Sequence, residues 1–248
     1  MPAGRGAPRG VGEALSDPSS GLPLGIVVGL AAEARLARRL GGRVAIGGGT
    51  SEGARRVALG LAESGAAALL SFGLAGGLDP ALRPGDLLVP HTVLAGSRRF
   101  PTDPALCRVL GGATPHALLG GERIVAEPAE KQMLWRTTGC AAVDLESAAV
   151  AEVATDRNMP FAVLRAVCDP AGRVIPPAAL TALDAGGAMV LGRVLVSLVK
   201  QPGQLAALLV LARDAARARR ALLRHLVRIG AHAVLHARDR VGRDIWRR

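Results

Sequence analysis

The sequence is poor in aromatic residues, in cysteine and in lysine. It contains no Tyr, and Phe and Trp together make up only 2% of its 248 residues. Proteins that hold single-stranded nucleic acid usually stack the bases on aromatic side chains. This composition therefore argues against a nucleic-acid partner, even though the net charge is +11.

The three cysteines, Cys107, Cys140 and Cys168, are few and widely spaced. An odd number without a CxxC pair indicates neither a set of disulfides nor a zinc site. The five histidines also lack the spacing of metal ligands. We therefore expect no metal and no organic cofactor, and a reducing, cytoplasmic environment.

Long hydrophobic runs are missing as well. Arg193 and Lys200 interrupt the longest apolar stretch before it reaches the roughly 18 residues that a transmembrane helix needs. Residues 1–22 are rich in Gly, Pro and Ser and lack the apolar core of a signal peptide, so we expect a disordered leader. At the other end, residues 211–248 carry eleven Arg against three Asp. The excess of positive charge thus belongs to a C-terminal tail.

What the chain does contain is a regular alternation of apolar runs and helical patterns. Half of its residues are apolar, which is enough for a sizeable core. Runs of strand length, such as residues 67–72, alternate with helical segments, and this predicts a three-layer αβα domain around a central twisted, mostly parallel sheet. We place this domain at residues 23–200 and a basic amphipathic helical tail at 201–248. The same patterns predict irregular chain over 96–121 and a short strand at 123–126.

A glycine-rich segment, Gly73–Leu78, follows one buried run. Glycines at such a place let the backbone approach a ligand closely. A tight strand-to-helix turn would have the same composition, so both interpretations stay open. GxGxxG and GK[ST] patterns are absent, which excludes the common dinucleotide and P-loop sites.

Four acids lie near the predicted strand ends. Asp144 and Glu146 follow a short apolar strand, and they could cap the next helix or accept hydrogen bonds from ligand hydroxyls. Asp169 ends another apolar strand, either as a turn opener or as a general acid whose pKa burial raises. Arg165 points to the same face of that strand and could orient Asp169 or lower its pKa. Glu33 begins a helix, where an exposed acid favoured by the helix dipole is the alternative to a catalytic one.

Taken in this order, the motifs resemble the nucleoside phosphorylase and methylthioadenosine/S-adenosylhomocysteine nucleosidase superfamily over residues 24–200. More narrowly, the sequence resembles the hopanoid-associated phosphorylases, also described as adenosylhopane nucleosidases. The stretches that carry this likeness are Ser71–Pro80, Asp169–Arg173 with Pro176–Leu180, and Gln201–Leu205. The resemblance implies that a purine, adenine in the narrower family, is released from a ribosyl group during hopanoid lipid biosynthesis.

The resemblance also implies roles for individual residues. Asp169 matches the acid that protonates purine N7, Glu146 the acid that binds the ribose hydroxyls, and Glu33 the acid that activates water. The other residues expected around the substrate are Leu145, Gly73, Leu74, Ala75, Gly76, Ile124, Arg165 and Cys168.

Three departures from the family pattern predict an unusually apolar pocket. Leu74 replaces a hydroxyl residue, Cys168 replaces a Ser before the acid, and Ile124 stands where a Phe stacks on the base. The change at Leu74 leaves the acceptor undecided between water and phosphate. Phosphate is therefore, beside water, one of the two candidate acceptors of the ribosyl group.

The basic tail predicts the surface at which the enzyme binds its substrate. Leu222, Leu223, Leu226 and Val227 share one side of a helix and arginines the other, which suits an anionic membrane surface, although the apolar side could instead pack on the domain. We expect a peripheral enzyme on the inner face of the membrane, acting on a lipid-linked nucleoside, and from the family a homodimer. The alternatives are a soluble methylthioadenosine/S-adenosylhomocysteine nucleosidase and a catalytically inactive nucleoside-binding membrane module.

Overall fold

The computed structural model describes residues 23–180 and 203–245. The predicted leader and the predicted domain end at residue 200 lie outside these ranges. The strands are β1 Leu24–Val28, β2 Arg43–Ile46, β3 Ala68–Gly77, β4 Leu87–Leu88, β5 Pro90–Ala95, β6 Arg98–Pro101, β7 Thr114–Gly120, β8 Ala142–Asp144 and β9 Phe161–Asp169. The helices are α1 Ala31–Ala37, α2 Ser51–Glu63, α3 Pro104–Val109, α4 Pro128–Thr138, α5 Ser147–Asp156, α6 Pro177–Leu180 and α7 Gln204–Ile245, and Arg38–Leu40 forms a 3₁₀ turn.

The nine strands join one mixed sheet. Its main path runs in the order β2-β1-β3-β8-β7-β5-β6, and β9 lies beside β3 and β4. Five pairings of neighbouring strands are parallel, and the antiparallel ones are β3 with β8, β4 with β9 and β5 with β6. The predicted α/β fold with a mostly parallel sheet is therefore confirmed.

Helices cover both faces of the sheet, and the central strands supply side chains to two cores. In β1, Val27 packs with α2 and α5 on one face. Its neighbours Ile26 and Val28 pack with α1, α3 and α7 on the other. The central strands are apolar almost throughout because neither of their faces meets water.

The glycine-rich part of β3 differs from the prediction. Gly73–Gly77 does not turn but continues the strand. It pairs with β9 as far as Gly76, with a register shift between Ala75 and Gly76, and Gly76 and Gly77 also pair with β8. Two further local predictions are also wrong: residues 96–121 form β6, α3 and β7, and residues 123–126 form no strand. Cross-strand partners decide these segments, and local composition does not reveal such partners.

The first half of α7 is part of the domain. Ala218, Leu222 and Leu226 join the core next to β9, and His225 Nε2 lies 2.7 Å from the carbonyl oxygen of Leu110. Leu222 and Leu226 of the predicted apolar stripe thus pack on the sheet, which is the alternative that the sequence left open, whereas Val227 is exposed. Within the described ranges, no helix is both long and apolar enough to cross a membrane.

Replacing Leu222 with Ala should lower the free energy of unfolding by about 2–5 kcal/mol, the usual cost of truncating a buried leucine. Leu222 is fully buried, whereas Val227 on the same helix is 57% exposed. Val227→Ala is the matched control and should change stability by less than about 0.5 kcal/mol. Denaturant titration measures both, and an equally small effect of the two changes would contradict the docking of α7.

Candidate active site

The ends of β3, β8 and β9 meet at a cleft of about 550 Å³. Eight of the residues expected around the substrate line this cleft: Leu74, Ala75, Gly76, Ile124, Leu145, Glu146, Cys168 and Asp169. The other three, Glu33, Gly73 and Arg165, do not line it but contact or adjoin residues that do. The segments that bring these residues together are far apart in the sequence, and the sheet makes them neighbours.

Asp144 and Glu146, at the end of β8 and just after it, make different contacts. Asp144 Oδ1 accepts a hydrogen bond from the backbone N–H of Ser147 at 3.0 Å, so Asp144 caps the start of α5. Glu146 makes no capping bond, although it stands at the cap position itself. Its buried carboxylate lines the cleft instead. A glycine at position 29 is required here, since a Cβ there would lie 2.5 Å from Glu146 Oε1.

Arg165 holds the acids of the site together. Its fully buried guanidinium places Nε 2.5 Å from Asp144 Oδ2 and donates from Nη2 to Glu146 Oε2 at 2.9 Å. Nη2 also donates to Ser71 Oγ at 2.7 Å. The contacts of Arg165 do not support the possibility that it orients Asp169. β9 pairs Val167 with Ala75 but Asp169 with Gly76, so the register shift places Asp169 on the opposite face of the strand from Arg165.

Opposing influences act on the pKa of Glu146. Burial raises its pKa to about 7, Arg165 opposes this shift, and the carboxylates of Asp144 and Glu33 add to it. The ionisation of Glu146 is therefore sensitive to the charges around it.

Glu33 is buried rather than exposed at the start of α1. Oε2 accepts from the backbone N–H groups of Gly29 and Leu30 at 3.1 and 2.8 Å, and Oε1 accepts from that of Leu74 at 3.0 Å. Burial raises its pKa, while Arg165 and these N–H groups lower it. Glu33 thus ties the loop after β1 to the glycine-rich part of β3.

Asp169 ends β9 with its side chain buried at the cleft. Cys168 Sγ donates to its Oδ1 at 3.0 Å, and Lys131 Nζ donates to its Oδ2 at 2.5 Å. Burial raises the pKa of Asp169, and Lys131 is the strongest opposing influence. Burial also raises the pKa of Cys168 well above its usual range, so its thiol keeps the proton that it donates.

Lys131 is the site residue that the sequence analysis did not identify. The sequence distinguishes Lys131 only by the rarity of lysine, since Lys200 is the only other one. The polar pattern of α4 indicates an exposed lysine, and nothing local to position 131 points to a partner 38 residues away.

The remaining wall of the cleft is mainly apolar. It includes Ile124 and Ile175, and α7 contributes a row of residues to it: Leu205, Leu208, Leu209, Leu211, Ala212 and Ala215. Leu205 and Leu209 are each about half exposed. The cleft is therefore lined both by carboxylates and by an open aliphatic surface.

Residues 117–186, which include Glu146 and Asp169, match the model of the Phosphorylase superfamily. No curated protein matches the sequence significantly. The matched segment contains β8, α5 and β9, the elements that carry the two cleft carboxylates.

Solved nucleosidases share the fold over most of the chain. Native futalosine hydrolase of Helicobacter pylori is 16% identical, with a TM-score of 0.58, over 83% of this chain and 97% of its own. A variant of the H. pylori 5′-methylthioadenosine/S-adenosylhomocysteine nucleosidase, with 5′-methylthioadenosine in its active site, is 16% identical with a TM-score of 0.59 over 84% and 98%. The Neisseria meningitidis enzyme with methylthio-immucillin-A is 18% identical with a TM-score of 0.58 over 83% and 98%. This likeness shows that the chain shares the fold of these enzymes.

Gly73→Ala should lower the free energy of unfolding by about 1–3 kcal/mol, the usual cost of overfilling a packed site. A Cβ at Gly73 would lie 2.6 Å from Arg165 Nη1 and 2.7 Å from Glu33 Oε1. Gly60→Ala in α2 is the control: a Cβ there meets nothing within 4 Å, so it should stabilise the fold by about 0.4–1 kcal/mol. If thermal or denaturant unfolding gave the same sign for both, the described packing around Gly73 would be incorrect.

Proposed function

We propose that this protein hydrolyses the N-glycosidic bond of an adenine nucleoside that carries a large apolar group, with adenosylhopane as its substrate and a ribosyl-hopanoid as its product. The observation that carries the proposal is the cleft itself. Glu146 and Asp169 line it together with aliphatic side chains of α7.

The two carboxylates match the two poles of the reaction. When the C1′–N9 bond breaks, positive charge develops on the sugar and the bond electrons pass to the purine. An ionised Glu146 stabilises the sugar by accepting hydrogen bonds from its hydroxyl groups. Asp169, whose pKa burial raises, delivers a proton to N7 and so makes the base a better leaving group.

Water suits this site better than phosphate as the acceptor. The backbone N–H of Leu74, which could otherwise bind an anion, donates to Glu33 at 3.0 Å. The guanidinium of Arg165 is already matched by Asp144 and Glu146. A phosphate dianion would therefore have to compete with these carboxylates for both groups. Glu33, whose pKa burial raises, is the carboxylate that we assign to the proton of the attacking water.

The aliphatic side of the cleft supports a large substituent on the nucleoside. A methylthio group would cover only a small part of the surface that α7 presents. A polycyclic hydrocarbon would bury it, with a gain of about 0.8 kcal/mol for each CH₂ removed from water. The open position of Leu205 and Leu209 also lets a long group leave the cleft toward solvent or lipid.

Adenine release from adenosines with 5′-alkyl groups of increasing length tests the proposal. The value of kcat/KM should rise by up to about four-fold per added CH₂ until the aliphatic wall is covered. Leu209→Asp should remove this rise, while Val227→Asp, outside the cleft on the same helix, should leave it intact. A best rate with the methylthio group would favour a soluble nucleosidase, and no adenine from any compound would favour a binding module.

We further propose that the enzyme meets its substrate at an anionic membrane. Arg213, Arg217, Arg220 and Arg224 lie along one exposed side of α7 and, with Pro84–Asp86, form a groove. Since the apolar stripe of the helix is packed on the sheet, the attraction rests on these arginines. Each basic residue near an anionic surface contributes about 1 kcal/mol.

Co-sedimentation with phosphatidylglycerol vesicles should show binding that weakens as salt is added. Arg217→Glu should weaken it by about 30-fold, because the change removes one positive charge and adds a negative one. Arg56→Glu makes the same change of net charge on α2, which covers the opposite face of the sheet, and should matter much less. Equal binding to neutral phosphatidylcholine vesicles, or equal loss in both variants, would remove the role of the arginine row.

A further inference from the structure

Lys131 is buried beside Asp169, yet the chemistry proposed above does not use it. Its side chain is 0% exposed, and it alone among the residues of α4 is buried. Taking an ammonium group out of water costs several kcal/mol unless it is paired and hydrogen-bonded. A buried lysine on a helix whose other residues are exposed or half-buried therefore needs an explanation in its contacts.

The three N–H bonds of the ammonium each find an acceptor. Nζ donates to Asp169 Oδ2 at 2.5 Å, to the carbonyl oxygen of Arg173 at 3.2 Å and to that of Pro170 at 3.3 Å. This arrangement joins α4, the end of β9 and the following loop at one point. The same loop leads to Ile175 in the cleft wall.

The contacts also fix how Asp169 can turn. Lys131 occupies Oδ2 from one side, and the thiol of Cys168 donates to Oδ1 from the other. A Cβ at Gly76 would lie 3.1 Å from Oδ2, so the neighbouring strand also packs closely against the carboxyl group. The carboxyl group thus has one orientation relative to the cleft.

We propose that Lys131 is the positioning residue of the general acid: it holds Asp169 and the loop 170–173 in the arrangement from which the proton reaches the purine. This inference rests on the proposed function, since it assigns a task within that reaction. Lys131 itself does not touch the substrate.

The electrostatic consequence of removing Lys131 has a definite sign. Burial raises the pKa of Asp169, and Lys131, Cys168 and Arg173 lower it. Arg173 is paired with Asp214 at 2.8 Å, and the other charged groups of the cleft wall are Arg123, Arg219, Asp144 and Glu146. Without the ammonium the pKa of Asp169 rises further. Because a general acid works in its protonated form, the fall of activity at high pH should then move to higher pH.

The test compares Lys131→Met and Lys131→Arg on two soluble substrates. One is a 5′-alkyladenosine, whose base needs a proton to leave. The other is 4-nitrophenyl riboside, whose phenolate leaves without one. We expect Lys131→Met to lose about 10²-fold in kcat on the adenosine, the scale of a misplaced catalytic group. KM should change less, and the rate on the nitrophenyl riboside should stay near that of the parent.

Lys131→Arg keeps the charge and should restore part of the loss. If Lys131→Met does not fold, as judged by circular dichroism, Lys131→Gln takes its place in the same assays. A similar loss on both substrates with an unmoved high-pH limb would overturn the proposal, because a merely structural lysine gives that result. Full activity of Lys131→Met would overturn it as well.

Infrared spectroscopy tests the coupling of Lys131 to Asp169 without requiring that the proposed reaction occurs. A protonated carboxyl band that disappears in Asp169→Asn reports the state of Asp169 even if neither substrate is cleaved. The band should appear at lower pH in the parent and persist to higher pH in Lys131→Met. An identical titration in the two proteins would contradict the coupling of Lys131 to Asp169. Failure of the parent to cleave either substrate, with this titration shift present, would instead count against the proposed function.

Discussion

The buried guanidinium of Arg165 is the group on which the arrangement of the site depends. Asp144, Glu146 and Glu33 all lie close enough to raise its pKa, and without it these carboxylates would repel one another in a medium that screens charge poorly. The guanidinium is planar and offers several donors, so one side chain can serve Asp144 and Glu146 and still bond Ser71. Glu146 can therefore carry a charge at the cleft while lying inside the protein.

A second ion pair, between Lys131 and Asp169, lies at the same cleft. The two cleft carboxylates therefore have different partners. Glu146 pairs with an arginine that stays charged, and Asp169 pairs with a lysine and a thiol. Such a division is what the separation of charge in a broken glycosidic bond calls for, with one acid facing the sugar and the other the base.

The fold class and the positions of the two cleft carboxylates could be predicted because their signals are local. Glu146 and Asp169 each follow a short apolar run, and a strand end in an α/β sheet is where ligands bind. The partners could not be predicted, because they depend on contacts across the fold. Simple strand alternation would place Arg165 on the face of Asp169, yet a register shift in β9 separates the two, and Arg165 pairs with residues of β8 and its loop. Lys131 comes from a helix whose pattern indicates exposure.

The C-terminal helix shows a different limit of the sequence. An amphipathic stripe has the same spacing whether it lies against lipid or against protein, and burial of Leu222 and Leu226 assigns it to the core. The same helix then supplies the aliphatic wall of the cleft near its start and an exposed arginine row along its outer side. Part of the core, the aliphatic wall of the cleft and the basic surface therefore all belong to α7.

Adenine release from a 5′-alkyladenosine in phosphate-free buffer, by the parent protein and by Asp169→Asn, tests the central claim most directly. The account predicts adenine together with a free ribosyl product from the parent, and a rate about 10²- to 10⁴-fold lower from the variant. Equal rates in the two proteins, or a strict need for phosphate with a sugar phosphate as product, would contradict it.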